Sequence, residues 1–99
     1  MKPFQFSTPA SEELTAAIRW YESRRPGLGA EFYDAVVRTI ERIEAFPDIV
    51  APRVARLPHR QMPVARFPYP IAYRVREHDI YAVAVAHTHR RSGCWRNRG

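Results

Sequence analysis

The chain has 99 residues, of which 45% are hydrophobic and 26% charged, with 16 basic and 10 acidic residues and a formal net charge of +6. This length supports one modest hydrophobic core, so we expect a single domain over residues 1–99 and exclude functions that need two lobes. The sequence has no leader-like N-terminus, no run of about 18 apolar residues and only one cysteine, so we expect a cytoplasmic protein without a membrane span or an internal disulfide.

The first predicted elements are a strand and two helices. Phenylalanines that alternate with polar neighbours predict a short strand over residues 2–6. Thr8 then predicts a helix N-cap, and apolar residues at helical spacing predict an amphipathic helix over residues 9–24. A Pro-Gly-Leu-Gly turn at residues 26–29 ends it, and a second periodic run stops at Pro47. So short a connection predicts an antiparallel helical hairpin.

The side chains of these helices divide into a predicted core and a predicted solvated face. Aromatic residues at helical spacing are typical of a core, and glutamates between them are typical of a solvent-exposed side. The predicted core aromatics are Trp20, Tyr21, Phe32 and Phe46. The predicted solvent-exposed glutamates are Glu12, Glu13 and Glu22.

The second half of the chain predicts three strands. Prolines from Pro47 to Pro63 predict an irregular link or an edge strand, and a strand is expected to begin around Gln61. Residues 69–76 alternate apolar and polar side chains, as in a strand with one solvated face. Residues 80–86, IYAVAVA, are apolar on both faces, and one helical hairpin can cover only one of them. We therefore expect cover for the second face from outside the chain.

The resulting order is β-α-α-β-β-β. It predicts an α+β fold in which a helical hairpin packs on one face of an antiparallel sheet. Residues 90–99 are too polar for a core and are expected to form a basic C-terminal tail.

Positive charge is concentrated in the second half. Residues 1–50 carry six basic and eight acidic residues, a net charge of −2, whereas residues 51–99 carry ten arginines and two acidic residues, a net charge of +8. Every basic residue except Lys2 is an arginine, whose planar guanidinium suits carboxylates and phosphates. The partner is therefore expected to be an acidic protein or an anionic polymer.

Three blocks of residues occur in an order typical of one protein family. The blocks are Trp20-Tyr21, Pro26-Gly27-Leu28-Gly29 and Phe32 in the hairpin; Arg66-Phe67-Pro68-Tyr69, Ile71 and Tyr73 in the sheet; and Ala82–His87, Arg90, Trp95 and Arg98 towards the C-terminus. With these blocks the chain resembles the RelE/ParE superfamily, the toxins of type II toxin–antitoxin modules for plasmid stabilisation, and it is closer to the ParE branch.

This resemblance implies a small cytoplasmic toxin that a cognate acidic antitoxin binds and inactivates in a hetero-oligomer. In the ParE branch the toxin inhibits DNA gyrase, and in the RelE branch it is an endoribonuclease that cleaves mRNA on the ribosome. We expect the gyrase inhibitor. The alternatives are the ribosome-dependent endoribonuclease and a degenerate, non-toxic member that only binds antitoxin.

Site residues follow from these alternatives. A ribonuclease needs an acid, a base and cations for the phosphate. In the ribonuclease branch the position of Trp95 is often a tyrosine or histidine, and the position of Pro70 is often an arginine. These two differences favour a non-enzymatic action. The candidate catalytic residues of a ribonuclease are Arg66, Arg74, His87, His89 and Arg90. The expected gyrase-binding residues are Arg90, Arg91, Trp95, Arg96 and Arg98. The expected antitoxin-binding residues are Ile71, Tyr73, Tyr81, Val83 and Val85.

No cofactor or metal ion is expected. His87 and His89 share one face of a strand, but zinc requires further ligands, and Cys94, His59 and His78 lie at no useful spacing from them. The basic tail fits two interpretations equally well. It contacts nucleic acid with Trp95 stacked on a base, or it is a solvated tail whose arginines pair with antitoxin carboxylates.

Overall fold

The computed structural model describes residues 2–47 and 59–87. The predicted order of elements is confirmed in these ranges. The elements are β1 (Phe4–Phe6), α1 (Thr8–Arg24), α2 (Leu28–Ala45), β2 (His59–Val64), β3 (Phe67–Val75) and β4 (Ile80–Val85). The predicted basic tail and most of the proline-rich link lie outside the described residues.

Helix α1 begins one residue earlier than predicted, because Ser7 and not Thr8 is its N-cap. The Ser7 hydroxyl accepts a hydrogen bond from the Ala10 N–H at 3.2 Å, which satisfies one of the free donors of the first turn. The Ser7 N–H in turn donates to the carbonyl oxygen of Ala82 at 2.9 Å. The cap therefore also joins the start of α1 to β4.

The turn between the helices depends on two glycines for different reasons. Gly27 has a φ of +90°, in the left-handed region that favours glycine. Gly29 lies where α1 and α2 approach each other, and a Cβ there would be only 2.8 Å from the backbone oxygen of Ile18. The predicted antiparallel hairpin is confirmed, with its helices in close contact at Gly29.

The sheet has the strand order β1-β4-β3-β2. Strands β2, β3 and β4 pair antiparallel as predicted, but β1 lies parallel to β4, with Phe4 opposite Ile80. The prediction of a purely antiparallel sheet is therefore wrong for its first strand. Period-two alternation shows which face a side chain occupies, but not which neighbour a strand pairs with or in which direction.

The main core lies between the helical hairpin and one face of the sheet. Its largest side chains come from both helices and from β3 and β4, so neither layer buries its apolar face without the other. Its central members are Tyr21, Phe32, Val36, Ile43, Ile71, Tyr73 and Ile80.

Two of the four aromatics predicted as core are instead largely exposed. Tyr21 and Phe32 are buried, but Trp20 is 49% exposed and Phe46 is 65% exposed. The guanidinium of Arg24 lies 4.5 Å from the centre of the Trp20 ring and covers part of it. Trp20 immediately precedes the buried Tyr21 and so projects from a different side of α1.

A β-bulge interrupts the alternation of side chains between the two faces of β4. Ala72 pairs with Ala84 and Tyr73 pairs with Ala82, so Val83 is an extra residue between the two pairs. From Ala84 onward, each side chain therefore points to the face opposite to the one that unbroken alternation would give. Both Ala82 before it and Val85 after it therefore belong to the main core.

The second face of β4 carries its own small apolar cluster. Val83 and Ala84 are fully buried there together with Ala72, and Tyr81 packs against them. These side chains are buried in the isolated chain, so the apolar second face does not require cover from outside. None of the helices in the described ranges combines the length and the apolar composition needed to cross a membrane.

Candidate interaction surfaces

The predicted antitoxin-binding residues do not form one surface. Ile71, Tyr73 and Val85 are at most 1% exposed and face the helices, and the Tyr73 hydroxyl donates to the carbonyl oxygen of Pro47 at 2.9 Å. Val83 is 0% exposed on the opposite face. Tyr81 alone of the five is partly exposed, so it is the member that a partner can contact without rearrangement of the core.

A basic and aromatic cluster surrounds Tyr81. The Arg76 guanidinium lies 4.0 Å from the centre of the Tyr81 ring and donates two hydrogen bonds of 2.6 Å to Asp79. Lys2 donates to the carbonyl oxygen of Arg76 at 2.6 Å, and Arg74 pairs with Tyr81 across the strands. In the described part of the chain, Arg76 and Lys2 thus lie near the Asp79 carboxylate, and Arg74 lies next to Tyr81. Basic side chains of this kind suit an anionic partner.

The ion pair between Arg76 and Asp79 shifts the pKa of both groups. The hydrogen bonds from Arg76 lower the pKa of Asp79, and the Asp79 carboxylate raises the pKa of Arg76. The two hydrogen bonds to Asp79 orient the Arg76 guanidinium beside the Tyr81 ring.

Arg66 has a structural partner that the sequence does not suggest. It lies in the β2–β3 turn with a φ of +74° and donates to one oxygen of Glu31 at 3.0 Å. Arg25 donates to the other oxygen, also at 3.0 Å. Both guanidinium groups, with that of Arg66 first, lower the pKa of Glu31. The Glu31 carboxylate thus ties the turn of the sheet to the helical hairpin.

The cations proposed for a ribonuclease are far apart. Arg66 precedes β3 and Arg74 lies near its other end, so eight residues at about 3.3 Å each separate them by roughly 25 Å. One phosphate cannot contact both. Two further candidates, His89 and Arg90, lie outside the described residues, as do all five residues of the predicted gyrase-binding set.

His87 lines a cavity at the end of β4. Its ring meets that of Tyr69 edge-on, with 5.1 Å between their centres. Glu13 lies beside them and accepts a hydrogen bond from the Val85 N–H at 3.0 Å. The cavity measures about 290 Å³ and is lined by Pro9, Glu12, Glu13, Ala16, Tyr69, Val85, Ala86 and His87. Its imidazole, phenol and carboxylates are groups that transfer protons, and the described residues of its lining include no arginine.

Sequence reasoning missed the roles of two glutamates in these sites. Glu13 is predicted to be solvent-exposed, yet its carboxylate joins α1 to β4, and Glu31 is not predicted to have any role. No local sequence signal identifies either contact, because each joins residues that are far apart in the chain. Across the two described ranges, no three histidine, cysteine, aspartate or glutamate residues are grouped so as to hold a metal ion.

Comparison with known proteins gives one family and one fold. The sequence model of the family described as "ParE toxin of type II toxin-antitoxin system, parDE" matches residues 4–92. A search of curated proteins found no match. One similar solved structure, described as a chromosomal ParDE TA system from P. aeruginosa, has a TM-score of 0.74 and 18% identity, and the similarity covers 88% of this chain and 96% of that chain. At this identity the structural likeness shows the fold alone.

Proposed function

Because the chain belongs to the ParE toxin family of type II toxin–antitoxin systems, we propose that it inhibits DNA gyrase by direct protein contact and is neutralised by a cognate acidic antitoxin. In this proposal it acts in the cytoplasm as the toxin of a plasmid-stabilisation or addiction module. It forms a hetero-oligomer with its antitoxin.

The observation that carries the choice of a non-enzymatic mechanism is the separation of the candidate catalytic groups. Cleavage of RNA requires an acid, a base and a phosphate-binding cation at the same phosphate. Arg66 and Arg74 lie roughly 25 Å apart along β3, and Arg66 is engaged by Glu31. The proton-transfer groups His87 and Tyr69 line a cavity to which residues 2–47 and 59–87 contribute no arginine. Among the described residues the three requirements are therefore not met at one place.

The charge of the chain supports an acidic partner. The net charge is +6, and among the described residues the basic side chains of Lys2, Arg74 and Arg76 lie around Tyr81. Such a surface attracts a negatively charged protein and repels another basic one. We expect a short adjacent reading frame that encodes an acidic, partly disordered protein, and its absence would count against the proposal.

A second candidate function, the ribosome-dependent mRNA endoribonuclease, is favoured by one observation. His87 and Tyr69 are in ring contact beside Glu13, so three groups capable of proton transfer line the same cavity. In this alternative Arg90 would supply the cation for the phosphate. The third candidate is the non-toxic member that only binds antitoxin.

Two assays on the purified protein separate these functions. The first measures supercoiling by DNA gyrase, and the second measures cell-free translation together with cleavage of its mRNA. Loss of supercoiling with intact translation supports the proposal, and the reverse pattern identifies the endoribonuclease. Activity in neither assay, together with tight binding of the acidic antitoxin, identifies the non-toxic member.

A further inference from the structure

A groove separates α2 from the β2–β3 turn and is distinct from the Tyr81 cluster and from the His87 cavity. It measures about 240 Å³. Arg38 and Arg42 line it from α2, Arg66 lines it from the turn, and the small residues Ala35 and Ala65 lie between them. Small side chains leave room for the backbone of another segment to approach closely.

The two arginines of α2 have no counterion in the described part of the chain. Arg38 and Arg42 are four residues apart and therefore project from the same side of α2, and both are exposed. Neither guanidinium forms an ion pair or a hydrogen bond with a described residue. Two unneutralised positive charges thus stand side by side along one wall of the groove.

The opposite wall adds to this positive charge. Arg66 pairs with Glu31, but the same carboxylate also pairs with Arg25, so one negative charge serves two positive ones. Asp34 is the other acidic residue of the lining. The described residues of the lining thus include three arginines and two carboxylates, so the groove keeps a net positive charge.

The buried hydroxyl in the groove, that of Thr39, already has a hydrogen-bond partner within α2. It donates to the carbonyl oxygen of Ala35 at 2.8 Å. A bound segment is therefore selected by the guanidinium groups, each of which binds a carboxylate through a pair of parallel N–H groups.

We propose that this groove binds a carboxylate-bearing segment of a partner protein, with aspartate or glutamate side chains on Arg38 and Arg42. The inference rests on the proposed function for the identity of the partner, which is the acidic antitoxin. It places the docking surface on α2 and the β2–β3 turn, and not on the apolar β4.

A peptide fits the groove better than a nucleic acid does. Glu31 and Asp34 lie in the lining, so a polyanion with a phosphate at every step would bring negative charges against them. A peptide can place carboxylates opposite the arginines and neutral or basic side chains opposite Asp34. None of the described residues that line the groove is an aromatic one that could stack on a base.

The test uses full-length protein and the double variant Arg38→Glu, Arg42→Glu. The control variant, Arg19→Glu with Arg24→Glu, changes the net charge by the same amount on α1, where both residues are exposed. The probes are a fluorescein-labelled peptide of alternating glutamate and alanine, its counterpart with glutamine, and a single-stranded RNA of similar charge. Circular dichroism verifies that both variants are folded.

The proposal predicts that the glutamate peptide binds the wild type and the control, and binds Arg38→Glu, Arg42→Glu at least about tenfold more weakly. Binding should also weaken as salt is added. Equal affinity for the two double variants, or tighter binding of the RNA than of the peptide, would overturn the proposal. Supercoiling by gyrase is measured with the same preparations. A wild type that binds the peptide but leaves supercoiling intact contradicts the proposed function and not the groove.

Discussion

The backbone N–H of Gly29 donates a hydrogen bond to Glu22 at 3.0 Å, across the interface between the two helices. The other oxygen of the same carboxylate accepts from the N–H of Gly27, also at 3.0 Å. The N-cap of α2 is Gly27, which has no side chain to accept a hydrogen bond from the first turn of the helix. A residue of α1 therefore satisfies two donors of α2 and places a negative charge at the positive end of its dipole.

Replacement of Glu22 by alanine should lower the free energy of unfolding by about 1 kcal/mol, the usual cost of losing a helix cap. Urea denaturation measures the change at constant m-value. The matched control is Glu41→Ala in the exposed part of α2. Equal losses in the two variants would show that the Glu22 carboxylate does not stabilise the hairpin.

The stability of the protein should fall with acid as Glu31 and Asp79 become protonated. Arginine partners lower the pKa of both carboxyl groups in the folded state. The folded protein consequently binds fewer protons than the unfolded chain, and the stabilisation is complete above the unfolded-state pKa values. It is lost as the pH falls through the lower folded-state values. Because both carboxylates are partly exposed to solvent, added salt should weaken the effect.

The measurement for this pH dependence is a carboxyl NMR titration combined with urea denaturation at several pH values. Glu31→Gln should remove its share of the acid dependence and leave that of Asp79. A Glu31 carboxyl that titrates at or above the ordinary value for glutamate would contradict the paired geometry with Arg25 and Arg66.

Val83→Asp should prevent folding and not merely weaken partner binding. The Val83 side chain is 0% exposed in the cluster with Ala72 and Ala84, so an ionised carboxylate there should cost at least about 3 kcal/mol. Gln5→Asp, on the exposed side of β1, is the control. Thermal unfolding of the two variants distinguishes the outcomes. A stable Val83→Asp protein that loses only antitoxin affinity would restore β4 as a docking face.

The C-terminal tail is predicted to be the effector surface. Arg90→Ala and Trp95→Ala should each reduce toxicity in growing cells more than they reduce affinity for the antitoxin. Growth after induced expression and antitoxin binding in vitro give the two quantities. If both variants stay fully toxic, the target is contacted elsewhere on the protein.

Much of the fold could be predicted because hydrophobic periodicity is a local property of the sequence. The two helices and three strands of the sheet follow from the spacing of apolar residues, and the turn at residues 26–29 follows from its proline and glycines. The parallel pairing of β1 with β4 could not, since alternation contains no information about direction. The bulge at Val83 was equally hidden, because residues 80–86 are apolar on both faces with or without it.

The candidate sites were less predictable than the fold. Arg66 and Arg74 are both cationic residues of the second half, and only the extended geometry of β3 shows that they are too far apart to share a ligand. Glu13 accepts a hydrogen bond from β4, and Glu22 accepts one from α2. The sequence predicts only that these two charged residues lie on the solvated face of α1. Surface charge alone cannot identify such partners.

Supercoiling by purified DNA gyrase, titrated with this protein, tests the central claim most directly. Inhibition by protein contact should rise in proportion to the toxin added, reach completion near equal amounts of toxin and gyrase, and be reversed by the acidic antitoxin. Cell-free translation at the same concentrations should be unaffected. Intact supercoiling at a large excess of toxin, together with cleavage of mRNA in the translation assay, would contradict the account.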